Sequence, residues 1–206
     1  MKRLTAVIAS LLVAALSVFG CAQMSSMMDG GWTTLIDGDK GLDNFNRVGD
    51  ANWRAEGGVI VADKGKGGHL VTKKSYTNFQ IRAEFYAEPN TNSGIFIRIS
   101  DPNKIGATSA YEVNIYDARA GQEFASGAIV NYGRVPVPNS YKTAGKWNTY
   151  EITAKDTHLR IVLNGVETVT IYDSKFPSGP FSLQFGNHGK EPGGAIKWRK
   201  VQVKEL

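Results

Sequence analysis

The 206-residue sequence predicts an all-β fold in which two antiparallel sheets pack face to face. Short runs alternate apolar and polar residues at period two, and turn residues, among them many of the 23 glycines, separate these runs. After the N-terminal apolar run, no segment keeps a helical period over three turns. About eleven short strands without helices are typical of a sandwich, because each sheet must bury one face against a partner.

Each predicted strand is an alternating or apolar run bounded by turn residues. The run Phe79–Ala87 alternates cleanly, and Asn164-Gly165 between two further runs is the preferred turn of a type I′ hairpin. A short turn or helix is predicted over 39–44. The predicted strands, in chain order, are 59–62, 69–73, 79–87, 93–100, 110–116, 127–131, 149–155, 159–163, 166–171, 181–186 and 195–204.

Two neighbouring runs, 93–100 and 110–116, say most about function. Their alternation predicts an apolar inner face made of Ser93, Ile95, Ile97, Ile99, Tyr111, Val113 and Ile115. The opposite face would carry Asn92, Phe96, Arg98, Glu112, Asn114 and Tyr116. A carboxylate, a guanidinium, amides and rings on one face suit a sugar, which offers hydroxyls and apolar C–H patches. An ordinary solvated sheet face is the open alternative.

Charge and cysteine content narrow the function classes. The formal net charge is +5, or +3 without Lys2 and Arg3, and no Lys/Arg cluster lies on a helix, so no nucleic-acid partner is expected. Cys21 is the only cysteine, which excludes internal disulfides and zinc sites built from several thiolates.

The N-terminus predicts export. Lys2 and Arg3 precede an uncharged apolar stretch over 4–20, the order of a secretory signal. Val18-Phe19-Gly20-Cys21 resembles the bacterial lipobox, which implies lipidation of Cys21, and Ala22 suggests delivery to the outer membrane. The predicted organisation is a lipoprotein signal peptide over 1–20, a flexible tether over 21–31 and one domain over 32–206, lipid-anchored at the outer membrane or in the periplasm. A plain signal peptide with a stray cysteine, or a short uncleaved anchor, stays open.

An ordered set of motifs across residues 31–206 resembles one family. The motifs are Gly31-Trp32-Thr33-Thr34-Leu35-Ile36-Asp37-Gly38, Asn92-Ser93-Gly94-Ile95-Phe96-Ile97-Arg98, Tyr111-Glu112-Val113-Asn114-Ile115-Tyr116-Asp117, Gly127-Ala128-Ile129, Trp147-Asn148-Thr149-Tyr150-Glu151-Ile152, Leu163-Asn164-Gly165, Leu183-Gln184-Phe185-Gly186-Asn187-His188-Gly189 and Ile196-Lys197-Trp198-Arg199-Lys200-Val201. The chain is similar to the bacterial 3-keto-disaccharide hydrolases. The resemblance implies a concanavalin-like jelly roll and cleavage of 3-keto-glycosides by a hydrolase or lyase reaction. It also implies a separate oxidoreductase that oxidises the sugar at C3.

The implied chemistry assigns roles to named residues. A ketone at C3 makes the C2 proton acidic, so a base can remove it while the C1 substituent leaves, and water then adds. We expect Glu112 or His188 to be the base and Arg98 to stabilise the enolate. The expected substrate-binding residues are Asn92, Ser93, Asn114, Gln184, Glu84 and Tyr116.

Each assignment has a structural alternative. Glu84 and Arg82 could form cross-strand ion pairs, Arg98 could pair with Glu112 as scaffold, and His188 could be solvated. His69 and His158 are expected to be structural or exposed. Trp147 and Trp198 are expected in the core.

A divalent metal is left open, since Glu112, His188 and Asp117 offer ligands that could polarise the ketone, but no cofactor is required by the pattern. Two other functions compete. A laminarinase-type glycosidase needs Glu-x-Asp-x-x-Glu, where this chain has Glu112-Val113-Asn114-Ile115-Tyr116-Asp117, so the carboxylate pair is missing. A non-catalytic cell-surface carbohydrate-binding module would use the same polar and aromatic face.

Overall fold

The computed structural model describes residues 30–188 and 191–206. The predicted signal peptide, Cys21 and all but the last two residues of the tether lie outside the described residues. Within the described part of the chain, no helix is long and apolar enough to cross a membrane.

The strands form two antiparallel sheets, as the alternation predicts. The strands of the larger sheet are β1 (Thr33–Asp37), β3 (Arg54–Glu56), β4 (Val59–Ala62), β6 (Phe79–Ala87), β9 (Trp147–Lys155), β10 (His158–Leu163), β11 (Val166–Tyr172) and β15 (Ile196–Glu205). Those of the smaller sheet are β2 (Phe45–Gly49), β5 (Gly68–Thr72), β7 (Ser93–Ile97), β8 (Tyr111–Ile115) and β12 (Ser182–Phe185). The larger sheet has the strand order β11-β10-β9-β6-β15-β4-β3, with β1 paired to β15, and the smaller has the order β2-β5-β12-β7-β8. A third, two-stranded sheet pairs β13 (Asn187–His188) with β14 (Glu191–Pro192).

The core lies between the two large sheets. Alternate residues of β6 are fully or almost fully buried there, and Phe85 stacks on Tyr150 at 5.2 Å and contacts Trp198 at 5.7 Å between ring centroids. Ile95 and Val113 reach the same core from the smaller sheet. The predicted inner face therefore packs against the larger sheet, which leaves the opposite face of the smaller sheet for other contacts.

The alternation of apolar and polar residues predicted most of the strands, but not all of them. The bounds of β4 and β6 match the prediction, and the helix predicted within 39–44 is a 3-10 helix at Leu42–Asn44. No strand forms over 127–131, where Gly127 and Asn131 have positive φ; the segment makes only isolated bridges beside β8. β1, β2 and β3 are additional strands, each too short to show a clear period.

A loop over 100–109 covers one end of the outer face of the smaller sheet. Its Ile105 packs on a small apolar cluster of Val71, Phe96, Ile99 and Ala110. Ile99 belongs to this outer cluster and not to the inner face, which corrects its predicted position. The loop thus shields part of the face that carries the candidate site.

Candidate active site

One row of residues crosses the outer face of the smaller sheet. The strand registers align Val48, His69, Gln184, Gly94 and Asn114 on β2, β5, β12, β7 and β8. Because all five share one face, the row brings an imidazole and two carboxamides together around a residue without a side chain. The predicted position of Asn114 on this face is confirmed, and Gln184, which was expected to bind substrate, lies on the same face.

Gly94 leaves a hollow in the middle of this row. A Cβ placed there would lie 3.5 Å from Glu112 Cγ and 3.6 Å from Phe96 Cε2. The register pairs Phe96 with Glu112 in the adjoining row, so both side chains lean over the hollow. Glu112 is therefore positioned beside the two carboxamides, as the sequence predicts.

Glu112 is a partly buried carboxyl group with unusual acidity. Its side chain makes no hydrogen bond or ion pair with any described residue, and desolvation raises its pKa from 4.5 to about 7, while the charge of Arg119 acts in the opposite direction. A carboxylate with a pKa near neutrality is a stronger base than an ordinary one and remains largely ionised above pH 7. The site thus contains one carboxylate suited to proton abstraction.

His69 is a member of the site that the sequence did not indicate. Its Nδ1 lies 3.0 Å from Ser182 Oγ, and its ring meets Phe96 edge to face with centroids 5.1 Å apart. Burial lowers the pKa of His69 from 6.5 to about 4, so the ring is neutral at pH 7. His69 and Gln184 line a cavity of about 350 Å³ together with Asn103 and Lys104.

Two carboxamide oxygens in the row are buried without a hydrogen-bond partner among the described residues. Asn114 donates through Nδ2 to the carbonyl oxygen of Phe124 at 2.6 Å, but no described residue donates to its Oδ1. Gln184 Oε1 is likewise buried and unpaired. Such acceptors carry a desolvation cost, which a sugar hydroxyl that donates to them would relieve.

Arg98 does not lie on this face, which corrects its predicted position. The alternation stops at Ile97, where β7 ends, and Arg98 adopts a φ of 54°. Its fully buried guanidinium donates to the carbonyl oxygens of Thr77 at 2.6 and 3.1 Å and of Asp156 at 2.7 Å. Arg98 joins loops at the end of the sandwich and is not available to a substrate beside Glu112.

Ser93 and Glu84 do not take the substrate-binding roles that were predicted for them. Ser93 faces the interior, and its hydroxyl donates to the carbonyl oxygen of Gln184 at 2.6 Å. Glu84 lies on β6 in the other sheet and pairs with Arg199 at 2.5 Å. Arg82 pairs with Glu151 at 3.8 Å, so the structural alternative for the two β6 charges is confirmed.

The remaining predicted residues lie where strands β7, β8 and β12 begin or end, at the same end of the sheet. Asn92 precedes β7, and its side chain packs against Gly186, where a Cβ would come within 2.8 Å of Asn92 Cγ. Tyr116 follows β8, and its backbone N–H donates to Ser126 Oγ at 2.9 Å. His188 lies on β13, which places its backbone beyond the end of β12; its side chain lies outside the described structure. Its predicted role as a base stays a prediction.

Asp117 does not suit the metal site considered from the sequence. Its Oδ1 accepts from the hydroxyls of Ser126 and Thr143 at 2.6 and 3.0 Å, and its Oδ2 accepts from the backbone N–H groups of Thr143 and Ala144. These bonds fasten the end of β8 to the loop before β9. Among the described residues, no group of three or more His, Cys, Asp or Glu could hold a metal ion.

The comparisons with known proteins assign the family. The family model of the 3-keto-alpha-glucoside-1,2-lyase-like domain matches residues 31–204. The chain belongs to this family. The resemblance of the ordered motifs to 3-keto-disaccharide hydrolases is thereby confirmed. The lyase-like domain covers almost all of the residues that the structure describes. No curated protein matches the chain.

Solved structures share the fold of this lyase-like domain. A "putative glycosyl hydrolase" from Parabacteroides distasonis ATCC 8503 superposes with a TM-score of 0.67 at 24% identity, covering 85% of this chain and 99% of that one. The carbohydrate binding module CBM66 from Bacillus subtilis gives 0.55 at 17% identity over 85% and 96%. Lectin I-B4 from Griffonia simplicifolia gives 0.60 at 14% identity over 84% and 98%. The predicted concanavalin-like jelly-roll sandwich is therefore confirmed.

Proposed function

We propose that this chain cleaves 3-keto-glycosides by elimination, with Glu112 as the base. The observation that carries the proposal is the partly desolvated Glu112 carboxyl group, with a pKa of about 7, leaning over the hollow at Gly94. Conventional glycoside hydrolysis uses two facing carboxyl groups, and no second acid is placed beside Glu112 among the described residues of the row. A single base fits C2 deprotonation better.

The reaction balances with the groups at hand. Glu112 takes the C2 proton, the C2–H electrons form the C1–C2 double bond through the enolate, and the C1–O bond breaks. The protonated Glu112 returns that proton to the departing oxygen, so the aglycone leaves as an alcohol. Addition of water across the double bond gives a free 3-keto sugar, which makes the net reaction hydrolysis; release before hydration makes it a lyase reaction.

The neighbours of Glu112 have separate roles in this scheme. Arg119, whose charge acts on Glu112, replaces Arg98 as the cation that stabilises the enolate oxygen. The unpaired oxygens of Gln184 and Asn114 accept hydrogen bonds from sugar hydroxyls. The neutral His69 ring orients a further hydroxyl in the cavity.

The decisive experiment measures release of 4-nitrophenol from a 4-nitrophenyl 3-keto-glucoside. Glu112→Gln should lower kcat by at least 10³-fold without unfolding the protein, because an amide cannot take the proton. Glu151→Gln on the other sheet is the matched control and should keep wild-type kcat. Deuterium at C2 should slow the wild-type enzyme several-fold, since that bond breaks. Unchanged turnover in Glu112→Gln, or deuterium retained at C2 in the product, would overturn the mechanism.

The same substrate separates the enzyme from a binding module. If the chain is a non-catalytic carbohydrate-binding protein, the 3-keto-glucoside will bind and be recovered intact. The buried carboxamide oxygens would serve either function, whereas the raised pKa of Glu112 has no use in a purely binding role.

We also propose that the protein is exported and anchored through lipid on Cys21, and that its 3-keto substrate comes from a separate oxidoreductase. Metabolic labelling with a clickable palmitate analogue should mark the wild-type protein and leave Cys21→Ser unlabelled. Equal labelling of both would exclude Cys21 as the lipid site.

A further inference from the structure

A second row of side chains crosses the outer face of the larger sheet, on the opposite side of the molecule from Glu112. The registers align Trp147, Tyr86, Lys197, Val61 and Arg54 on β9, β6, β15, β4 and β3. The row places two aromatic side chains next to a lysine, a valine and an arginine across five strands. It has no part in the proposed elimination.

A groove of about 430 Å³ lies along this row. Val59, Val61 and Ala195 line it with apolar atoms, and the β3–β4 hairpin borders it at Gly57. Its size falls in the range of small-molecule sites, and its lining combines apolar side chains with a few polar groups, as such sites do.

The polar groups of the groove are held in fixed positions. Arg54 binds Asp63 in a bidentate pair, with both N–O distances 2.9 Å. Lys197 lies 3.3 Å from a carboxylate oxygen of Glu88, whose other oxygen accepts from the Ala195 N–H at 3.1 Å. Planar bidentate pairs hold their donors and acceptors rigid, so a ligand would meet them with little loss of side-chain entropy.

Trp147 supplies an aromatic surface at the groove. The sequence predicts Trp147 in the core, yet its side chain is 36% exposed, so that prediction is wrong. Tyr86 packs against its ring edge-on at 5.8 Å, and the Arg199 guanidinium lies 4.3 Å from its ring centroid. These contacts fix the orientation of the indole while leaving part of it open, an arrangement typical of recognition sites.

The charge of the groove selects the class of ligand. Two cations, Arg54 and Lys197, face the three carboxylates of Glu56, Asp63 and Glu88, so an anionic ligand would meet net repulsion. An aromatic surface beside fixed donors and acceptors suits a neutral polyhydroxylated ring, which stacks its C–H face and hydrogen-bonds its hydroxyls. We propose that this groove is a second carbohydrate-binding site, which holds a neutral glycan away from the Glu112 centre.

The test is a titration of the purified protein with maltose and with cellobiose, monitored by ¹⁵N–¹H NMR. Shifts should concentrate at the Trp147 indole N–H and at the backbone of Gly57, Val61 and Lys197. Trp147→Ala should weaken the affinity of this site at least fivefold, and Trp147→Phe should retain most of it. Tyr172→Ala removes an aromatic side chain that is 77% exposed on the same sheet, and should leave the affinity unchanged.

Two results would overturn the proposal: no shift at these positions up to 20 mM of either sugar, or equal affinity in Trp147→Ala and wild type. Arg54→Ala provides a second variant that perturbs the groove without altering the aromatic contacts, and it should also weaken binding. Glu112→Gln changes only the opposite face of the molecule. Absence of sugar binding in the groove would therefore leave the elimination proposal intact, and absence of turnover would leave the groove proposal intact.

Discussion

At the scale of single residues, the chemistry of Glu112 is set by its surroundings. Phe96 lies opposite Glu112 in the strand register, burial desolvates the carboxyl group, and the charge of Arg119 only partly offsets that desolvation. Since the base must be ionised, we expect kcat/KM to fall on the acid side with an apparent pKa near 7 in the free enzyme. A profile flat from pH 5 to 9 would contradict the assignment.

The same shift has a consequence for stability that does not depend on activity. The folded-state pKa of Glu112 lies above its unfolded value of 4.5, so its favourable contribution is present below pH 4.5 and is lost as the pH rises to about 7. Glu112→Gln should therefore match wild type near pH 4 and exceed its unfolding free energy at pH 8, by at most about 3 kcal/mol. Urea unfolding at the two pH values measures the difference.

Arg98 shows the opposite case, a charged residue whose bonds are all structural. Arg98→Lys keeps the charge but cannot reach Thr77 and Asp156 together, and we expect a loss of about 2–4 kcal/mol in unfolding free energy. The folded fraction should keep wild-type kcat. The control is Arg82→Lys, which alters an exposed ion pair between β6 and β9. It should change the unfolding free energy by less than about 0.5 kcal/mol. A large drop in kcat with unaltered unfolding would restore a substrate role for Arg98.

At the scale of elements, period-two alternation located β4 and β6 because each runs straight through a packed sheet. The same rule failed where β7 ends, since a positive φ at Arg98 turns its side chain toward the loops and moves Ile99 to the outer cluster. The rule assumes extended backbone, and nothing in the residue types signals where that stops.

Only the site residues that lie on one strand could be placed together from the sequence. Glu112 and Asn114 share a face within β8, which the sequence alone determines. His69 joins them only because β12 lies between β5 and β7, an order that local patterns do not encode. Arg119 lies in the loop after β8, where no period applies, so its approach to Glu112 is a tertiary outcome.

Strand β7 carries the hollow on which the site depends. In Gly94→Ala the new Cβ would lie 3.0 Å from the Val113 carbonyl oxygen, so the backbone of β7 or β8 must move by a few tenths of an ångström. At 3.5 Å from Glu112 Cγ the added methyl group makes ordinary van der Waals contact and fills the hollow. We expect kcat/KM to fall at least tenfold and stability by about 1–3 kcal/mol. Gly106→Ala, where no atom lies within 4 Å of the added Cβ, should leave both unchanged. Wild-type kcat/KM in Gly94→Ala would show that the hollow is not used.

At the scale of the whole molecule, the sandwich separates two surfaces of different chemistry. The smaller sheet presents a desolvated carboxyl group and unpaired carboxamide oxygens, whereas the larger sheet presents an exposed indole among paired charges. Stacked sheets lie about 10 Å apart, and outward side chains add to that separation. Neither surface shares a hydrogen bond or ion pair with the other among the described residues.

This separation predicts that the two surfaces act independently. The double variant Glu112→Gln Trp147→Ala should lose turnover as Glu112→Gln does and lose maltose affinity as Trp147→Ala does. Double-mutant coupling in unfolding free energy should stay below about 0.5 kcal/mol, because distant sites without shared partners add. Soluble 3-keto-glucoside needs no second surface, so Trp147→Ala should keep wild-type kcat/KM on it. A coupling above about 1 kcal/mol, or a loss of turnover on the small substrate in Trp147→Ala, would mean that the core transmits changes between the sheets.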